Sequence, residues 1–266
     1  MYVRGGMYPN LLTLGTFTIH TYGVCIALGA LLGILLISRE ATRQGYNQQQ
    51  ILDLAFYGLI SAIIGSRVFY IVLNVDYYLK NPLEMIMIWR GGLVFYGGFI
   101  FAFVTCFFYL KKQHLPFLRT CDILAPGLAL GEAFGRIGCF FAGCCYGTAT
   151  NLPWAVIFNH PQSLAKTGIP LHPTQLYASS KALAVFAILM IFRRFKKSDG
   201  QVIWLYSLLY ALGRLFIEPF RGDERGLMIF GTLTLTQTIA LIFVPLALFM
   251  VVYLGRRKPS SSNSRP

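Results

Sequence analysis

Residues 121–141 read CDILAPGLALGEAFGRIGCFF. The stretch is long enough to cross the ~30 Å hydrocarbon core of a bilayer, which takes about 20 residues of helix. Yet it carries Arg136 near its end. A charge at that depth is expensive and marks a functional position by default. Working outward, apolar runs recur at about 17–37, 51–73, 92–110, 121–141, 175–193, 201–217 and 232–254. Their length and continuity predict seven spans. The expected fold class is all-α: a polytopic membrane protein with seven transmembrane helices.

Composition agrees. Of 266 residues, 56% are hydrophobic and 12% charged, with a mean hydropathy of +0.59. A soluble domain usually carries about 25% charged residues, so a water-facing surface does not fit. Disorder needs low hydrophobicity and high charge, the reverse of this chain. A membrane β-barrel would show alternating segments of ~10 residues rather than continuous runs. The first run is too long for the apolar region of a cleaved signal peptide. Internal repeats of the kind that build inverted-repeat transporters are absent from the sequence.

The formal charge is +13. On a soluble chain this would suggest nucleic acid. Here the basic residues sit mostly in short loops, so topology explains them and no nucleic-acid partner is implied. One side holds Arg39 and Arg43, Lys111, Lys112 and Arg119, Arg193, Arg194, Lys196 and Lys197, and Arg256, Arg257, Lys258 and Arg265. The opposite side is poorer. The positive-inside rule then puts the N-terminus outside and the C-terminus in the cytoplasm. Residues 1–258 are expected to form one membrane domain, with a long external segment at about 142–174. The Ser/Pro-rich tail 259–266 is expected to be disordered.

Three arginines fall inside spans: Arg67 in IIGSRVFYIVL, Arg136 in GEAFGRIGCFF and Arg214 in YALGRLFIEPF. All three lie toward the outer half of their spans in this orientation. Together they point to an anionic group at the outer leaflet, such as a phospholipid phosphate, which the planar guanidinium binds bidentately. Snorkelling or a carboxylate partner is the alternative for each. Arg214 and Glu218 share a helix face, either as a pair that orients the arginine or as a plain buried salt bridge. Arg221, Asp223, Glu224 and Arg225 read as a solvated continuation.

Gly127, Gly131 and Gly135 recur every fourth residue, the spacing that lets helices approach closely. In RGGLVFYGGF, Gly91, Gly92, Gly97 and Gly98 bracket Tyr96. That loosened backbone either meets a headgroup or packs. His172 stands just before the fifth span, as a base, a headgroup donor or a structural residue. Cys139, Cys144 and Cys145 crowd together without a CxxC pair, which argues against a zinc ribbon or a thioredoxin-like motif. The cluster allows redox or metal chemistry, and equally close packing.

Six segments in order, HTYG, GSRVFYIVLN, WRGGLVFYGG, GRIGCFFAGCCYG, HPTQLY and GRLFIEPFRGD, run from Tyr22 to about Arg225. Together they resemble the prolipoprotein diacylglyceryl transferase family, in a variant branch with the GRIGC…AGCCYG signature. The resemblance implies a seven-span enzyme of the bacterial inner membrane with its site facing the periplasm. Its reaction moves the diacylglyceryl group from phosphatidylglycerol to the lipobox cysteine of a prolipoprotein signal peptide. Glycerol phosphate leaves, and no metal or cofactor is used. It also implies that Arg136 holds the phosphatidylglycerol headgroup, with Arg67, Tyr22, Gly97, Gly98 and Gln175 completing the lipid site. Arg214 and Glu218 match the arginine and carboxylate of the sixth span, and Gly147 matches a further motif position.

The chain departs from the family pattern where histidine is replaced by Tyr96. Asparagine gives way to Cys139 and Ala142, and glutamate to Cys144. A histidine base is therefore missing. Forming a thiolate at pH 7 from a thiol of pKa near 8.5 costs about 2 kcal/mol, which a positive site supplies without a dedicated base. Arg136 and Arg214 are expected to stabilise the departing phosphate, with Glu218 orienting Arg214 and His172 or Tyr96 assisting proton transfer. The rival readings are a membrane thiol-redox protein using the three cysteines, an anion transporter, and a phospholipid-binding relative without catalysis.

Overall fold

In the computed structural model, residues 3–4, 8–14, 17–88, 91–223, 228–229 and 233–257 are described. Helix dominates. The elements are α1 (Thr21–Arg43), α2 (Gln48–Leu73), the short α3 (Val75–Lys80), α4 (Phe95–Lys112), α5 (Phe117–Ala142), α6 (Thr174–Phe192), α7 (Gln201–Ile217) and α8 (Leu235–Arg256). All but α3 are long and apolar enough to cross a membrane, which makes seven candidate spans among the described residues. Large side chains such as Phe56, Phe99, Phe108 and Phe249 face outward, while Ala41, Ala125, Ala129, Ala133 and Ala247 are fully buried. That distribution suits a surface in contact with lipid tails, where helices associate by close packing of small residues.

Helix ends follow local chemistry. The Asn47 side chain accepts the Gln49 amide at 2.9 Å and starts α2. Thr234 and Gln237 form a reciprocal capping box at the start of α8. The first run begins later as helix than its apolar content suggests. Phe17–His20 form a strand that pairs antiparallel with Asn10–Leu14, and α1 instead runs on to Arg43. Hydropathy reports burial and not backbone conformation, so the hairpin and the helix are one run in the sequence. The expected tail at 259–266 lies outside the described residues.

The helices group into two compact units, 1–36 with 121–266 and 37–120. In the second unit, α2 and α4 meet through glycines. A β-carbon on Gly65 would lie 2.5 Å from Gly97 O, and one on Gly98 would lie 2.8 Å from Ala62 O. Gly97 and Gly98 are therefore contact surfaces between helices. Gly98→Val forces these backbones apart at a cost of about 1–3 kcal/mol. The expected result is a thermal midpoint lower by about 2–12 °C in detergent, converting at roughly 2–4 °C per kcal/mol. An unchanged midpoint would refute the contact.

In the first unit, α5 shows two small-residue faces. Its glycine face meets α1: a β-carbon on Gly33 would lie 3.0 Å from Gly127 O, and one on Gly29 would lie 3.2 Å from Gly131 O. Gly135, the third glycine of that stripe, has open space around it. The alanine face, Ala125 and Ala129, packs with Val185, Leu189 and Val202 of α6 and α7. Ser179 Oγ on α6 donates to Ala133 O at 3.0 Å. Buried Asp122 holds the start of α7: its Oδ1 accepts the Val202 and Ile203 amides at 3.0 and 2.9 Å, and its Oδ2 accepts the Gly200 amide at 2.9 Å. Lys196 Nζ is 3.1 Å from the same Oδ2.

Candidate active site

The long connection after α5 is folded. Val156–Ile157 pairs antiparallel with Pro170–Leu171, and Val156, Phe158, Ala165 and Leu171 form a small core against Phe140 and Tyr146. The chain next to that core joins three sequence motifs side by side. The Gly147 amide donates to His172 O at 3.0 Å, and the His172 amide returns to Thr148 O at 3.0 Å. On the other edge, the Thr148 amide donates to Phe220 O at 2.8 Å and the Gly222 amide to Tyr146 O at 3.0 Å. Strands this close leave no room for side chains at their crossing. A β-carbon on Gly147 would lie 2.6 Å from His172 O, and one on Gly222 would lie 2.5 Å from Gly147 O. The glycines of GCCYG and FRGD are thus explained by backbone approach.

Beside this ladder lies a small cavity open to one side. Its lining includes Arg136 and Glu132 of α5, Lys181 of α6 and Arg214 of α7, with Arg221 beyond α7. Three of its four cations have carboxylates. Lys181 Nζ lies 2.7 Å from Glu132 Oε1 and 4.5 Å from the Tyr210 ring centroid. Arg221 Nε donates to Asp223 Oδ1 at 2.9 Å. Arg214 Nη2 lies 2.9 Å from Oε2 of the buried Glu218. That contact is close enough for an ion pair but off the axis of a hydrogen bond, so Oε2 has a charge partner without a donor. Glu218 Oε1 accepts from Thr234 Oγ1 at 2.9 Å, and Arg214 Nη2 also donates to Thr236 Oγ1 at 3.3 Å. Among the described residues, no hydrogen bond or ion pair holds Arg136. Its guanidinium is the uncommitted positive charge of the cavity.

A second uncommitted group is Gln175 on the first turn of α6. The side chain is 1% exposed and lines the cavity. Its Nε2 donates to Cys144 O at 2.8 Å, while its Oε1 is buried with no partner among the described residues. A buried acceptor left open costs free energy unless a donor arrives. Next to it, Thr174 Oγ1 donates to Cys145 O at 2.7 Å. These two bonds hold the turn in which Cys145 takes a left-handed φ of 58°. Cys145 borders the cavity. Hydrogen bonding with Cys139 and Cys144 holds its thiol far below the ordinary cysteine range, against burial, and Arg221 and Arg136 add to the effect. Bonds to Cys139 and Cys145, together with burial, push the Cys144 thiol up.

Several expected site residues have other work. His172 is not among the residues lining the cavity. Its ring packs edge-on against Phe220, with Nδ1 3.2 Å from the Tyr177 hydroxyl. Trp154 Nε1 donates to that hydroxyl at 2.8 Å, which leaves the Tyr177 proton for His172. Tyr22 packs on α5, where a β-carbon on Gly138 would lie 3.1 Å from its Cδ2. It lies near the three thiols and Arg136.

In the second unit, Arg67 is buried and donates to backbone carbonyls: Nε to Met85 at 3.0 Å, Nη1 to Gly91 at 2.7 Å and Gly92 at 3.2 Å, and Nη2 to Glu84 at 2.6 Å. Its guanidinium also lies over Tyr70 and Tyr78. With φ of 82° and 73°, Gly91 and Gly92 turn their carbonyls into this clamp. Tyr96 is half-exposed at the start of α4.

Sequence reading passed over Lys181 and misplaced Arg221. The Arg221 side chain is only 14% exposed, so it is a wall of the cavity and not part of a solvated run. The backbone ladder folds it inward. Lys181 was legible as a charge inside an apolar run, the same signal that picks out Arg67.

Seven long apolar helices with apolar outer faces define a multi-pass membrane protein, and its cavity holds paired charges and one arginine without a partner among the described residues. Residues 9–253 match the family model for prolipoprotein diacylglyceryl transferase. The chain is 36% identical over 244 residues to the phosphatidylglycerol–prolipoprotein diacylglyceryl transferase of Clostridium tetani, covering 92% of this chain and 96% of that protein. It is 38% identical over 224 residues to that of Finegoldia magna, covering 84% and 86%. With that of Clostridioides difficile it shares 35% over 249 residues, covering 94% and 96%. The chain belongs to the prolipoprotein diacylglyceryl transferase family.

Proposed function

We propose that this chain transfers the diacylglyceryl group of phosphatidylglycerol to the lipobox cysteine thiol of prolipoproteins. The observation that carries this reading is the free Arg136 guanidinium beside the Arg214–Glu218 pair in one cavity. The donor phosphodiester carries one negative charge, and the cavity has one cation without a carboxylate. As the glycerol carbon–oxygen bond breaks, charge grows on the phosphate oxygen. An arginine aimed there stabilises the transition state more than the ground state, which is the condition for catalysis. Glu218 fixes Arg214 as a second donor. The open Gln175 Oε1 suits a headgroup hydroxyl.

In this reading His172 is a framework residue, Arg67 secures the loop before α4, and catalysis rests on neither. The N-terminus lies outside, the C-terminus lies in the cytoplasm, and the cavity opens to the outer face of the bacterial inner membrane.

The test is transfer by the purified chain in vesicles of phosphatidylglycerol with a lipobox peptide. The peptide is expected to gain the mass of one diacylglyceryl unit, and a peptide with Ser for the acceptor Cys to gain none. No gain from a preparation that binds phosphatidylglycerol overturns the reading. A change in the redox state of the peptide or of the three cysteines, without lipid transfer, would favour thiol chemistry.

A further inference from the structure

The Sγ atoms of Cys139, Cys144 and Cys145 all lie within 4.8 Å of one another, and none is in a disulfide. The fold builds this arrangement. Cys139 is on the last turn of α5, which ends at Ala142. Gly143 and Cys145 then take φ of 78° and 58°, turning the chain back on itself. Thr174 and Gln175 lock the turn through the Cys145 and Cys144 carbonyls. A left-handed φ is uncommon outside glycine.

Three thiol sulfurs at this separation match a thiophilic metal. Tetrahedral zinc with Zn–S bonds of about 2.3 Å sets its sulfurs about 3.8 Å apart, so closing onto an ion needs a contraction of roughly 1 Å or less. Among the described residues, no His, Asp, Glu or further Cys joins the three. Three protein ligands with an open fourth position is the form of a catalytic zinc site, whereas structural zinc is closed by four. Charge agrees as well. Three thiolates around a divalent ion leave one net negative charge, and Arg136 and Arg221 line the same cavity as Cys145. Cys145 is also the sulfur that borders the cavity, so the fourth position is reached from the space where Arg136 and Arg214 stand.

We propose that Cys139, Cys144 and Cys145 bind a zinc ion whose fourth ligand is the acceptor thiol of the protein substrate. The inference rests on the transferase reading above and adds how its nucleophile is made. A thiol that coordinates zinc gives up its proton, here to water. The bound thiolate sulfur then attacks the glycerol carbon. A carbon–sulfur bond forms and the carbon–oxygen bond breaks. The electron pair leaves on the phosphate oxygen, whose charge Arg136 meets. The product thioether is neutral and a weak ligand, so it departs. Nothing is oxidised or reduced. In this chain, where tyrosine stands at the histidine position, the metal does the work of a base.

The test uses the full chain in phosphatidylglycerol nanodiscs. Elemental analysis is expected to find about one zinc per chain in the wild type and in Cys106→Ser, and none in the triple Cys139→Ser, Cys144→Ser, Cys145→Ser variant. Cys145→His, which keeps a zinc ligand, is expected to retain the ion and separates ligand loss from misfolding. After exchange into Co²⁺, thiolate-to-cobalt absorption is expected to change on adding a lipobox peptide with Cys and to stay unchanged with its Ser counterpart. Chelation is expected to lower transfer at least 100-fold, and zinc to restore it.

Absence of metal together with absence of cobalt–thiolate absorption overturns the proposal, as does bound cobalt whose spectrum ignores the Cys peptide. Undiminished transfer by metal-free protein overturns it while leaving the transferase reading in place. A spectral response to the Cys peptide from zinc-competent protein that transfers no lipid keeps the site and removes the transferase reading.

Discussion

Arg136→Ala is expected to lower transfer by about 10²–10³-fold or more, the usual loss when a preorganised donor to developing negative charge is removed. The fold should survive. Among the described residues Arg136 makes no hydrogen bond or ion pair, so its removal orphans no protein partner, and a half-buried cation is removed with it. The charge it meets grows as the phosphate leaves, so kcat and kcat/KM should fall together. Arg136→Lys keeps the charge but loses the fork that binds two oxygens at once, and should recover only part of the rate. The measurement is the vesicle transfer assay on variants whose circular dichroism and thermal midpoint match the wild type. Full activity in Arg136→Ala would remove the phosphate site from this cavity.

The largest stability effect is expected from Asp122→Ala. One buried carboxylate accepts the Gly200, Val202 and Ile203 amides and faces Lys196. It caps α7 from a different helix and offsets the positive end of the α7 dipole. Alanine strands three backbone donors, while Lys196 keeps Asp199 at 3.1 Å. Each buried donor left unsatisfied costs about 1–3 kcal/mol, so the variant should unfold at much lower temperature or denaturant. Asp122→Asn, which keeps an oxygen for two of the amides, should be intermediate. A midpoint equal to wild type in both would show that water or lipid headgroups satisfy the α7 amides.

The seven spans were legible because each is long, apolar and bounded by charged or turn-forming residues. Two kinds of information were not. Residues 17–20 look like helix by hydropathy and form a strand, because burial and conformation are separate properties. Arg67, Arg136 and Arg214 are alike as charges within apolar runs, but their uses diverge. Arg67 is consumed by four loop carbonyls, Arg214 is tied to Glu218, and Arg136 is left over. No local signal distinguishes them, since the partners lie 4 to 25 residues away along the chain, on loops as well as helices. His172 likewise reads as a candidate base and serves as an edge rung paired with Gly147 and Thr148, its ring against Phe220.

By itself the sequence determined that this chain has seven helices long and apolar enough to cross a membrane, and which family it belongs to. Those properties follow from composition along single runs and from short patterns. Only the tertiary structure decided which arginine stays free, that Gln175 keeps an open acceptor, that Arg221 turns inward, and that three cysteines share one small volume. These are pairings across distant segments, fixed when the backbone ladder at Gly147 draws α5, α6 and α7 together.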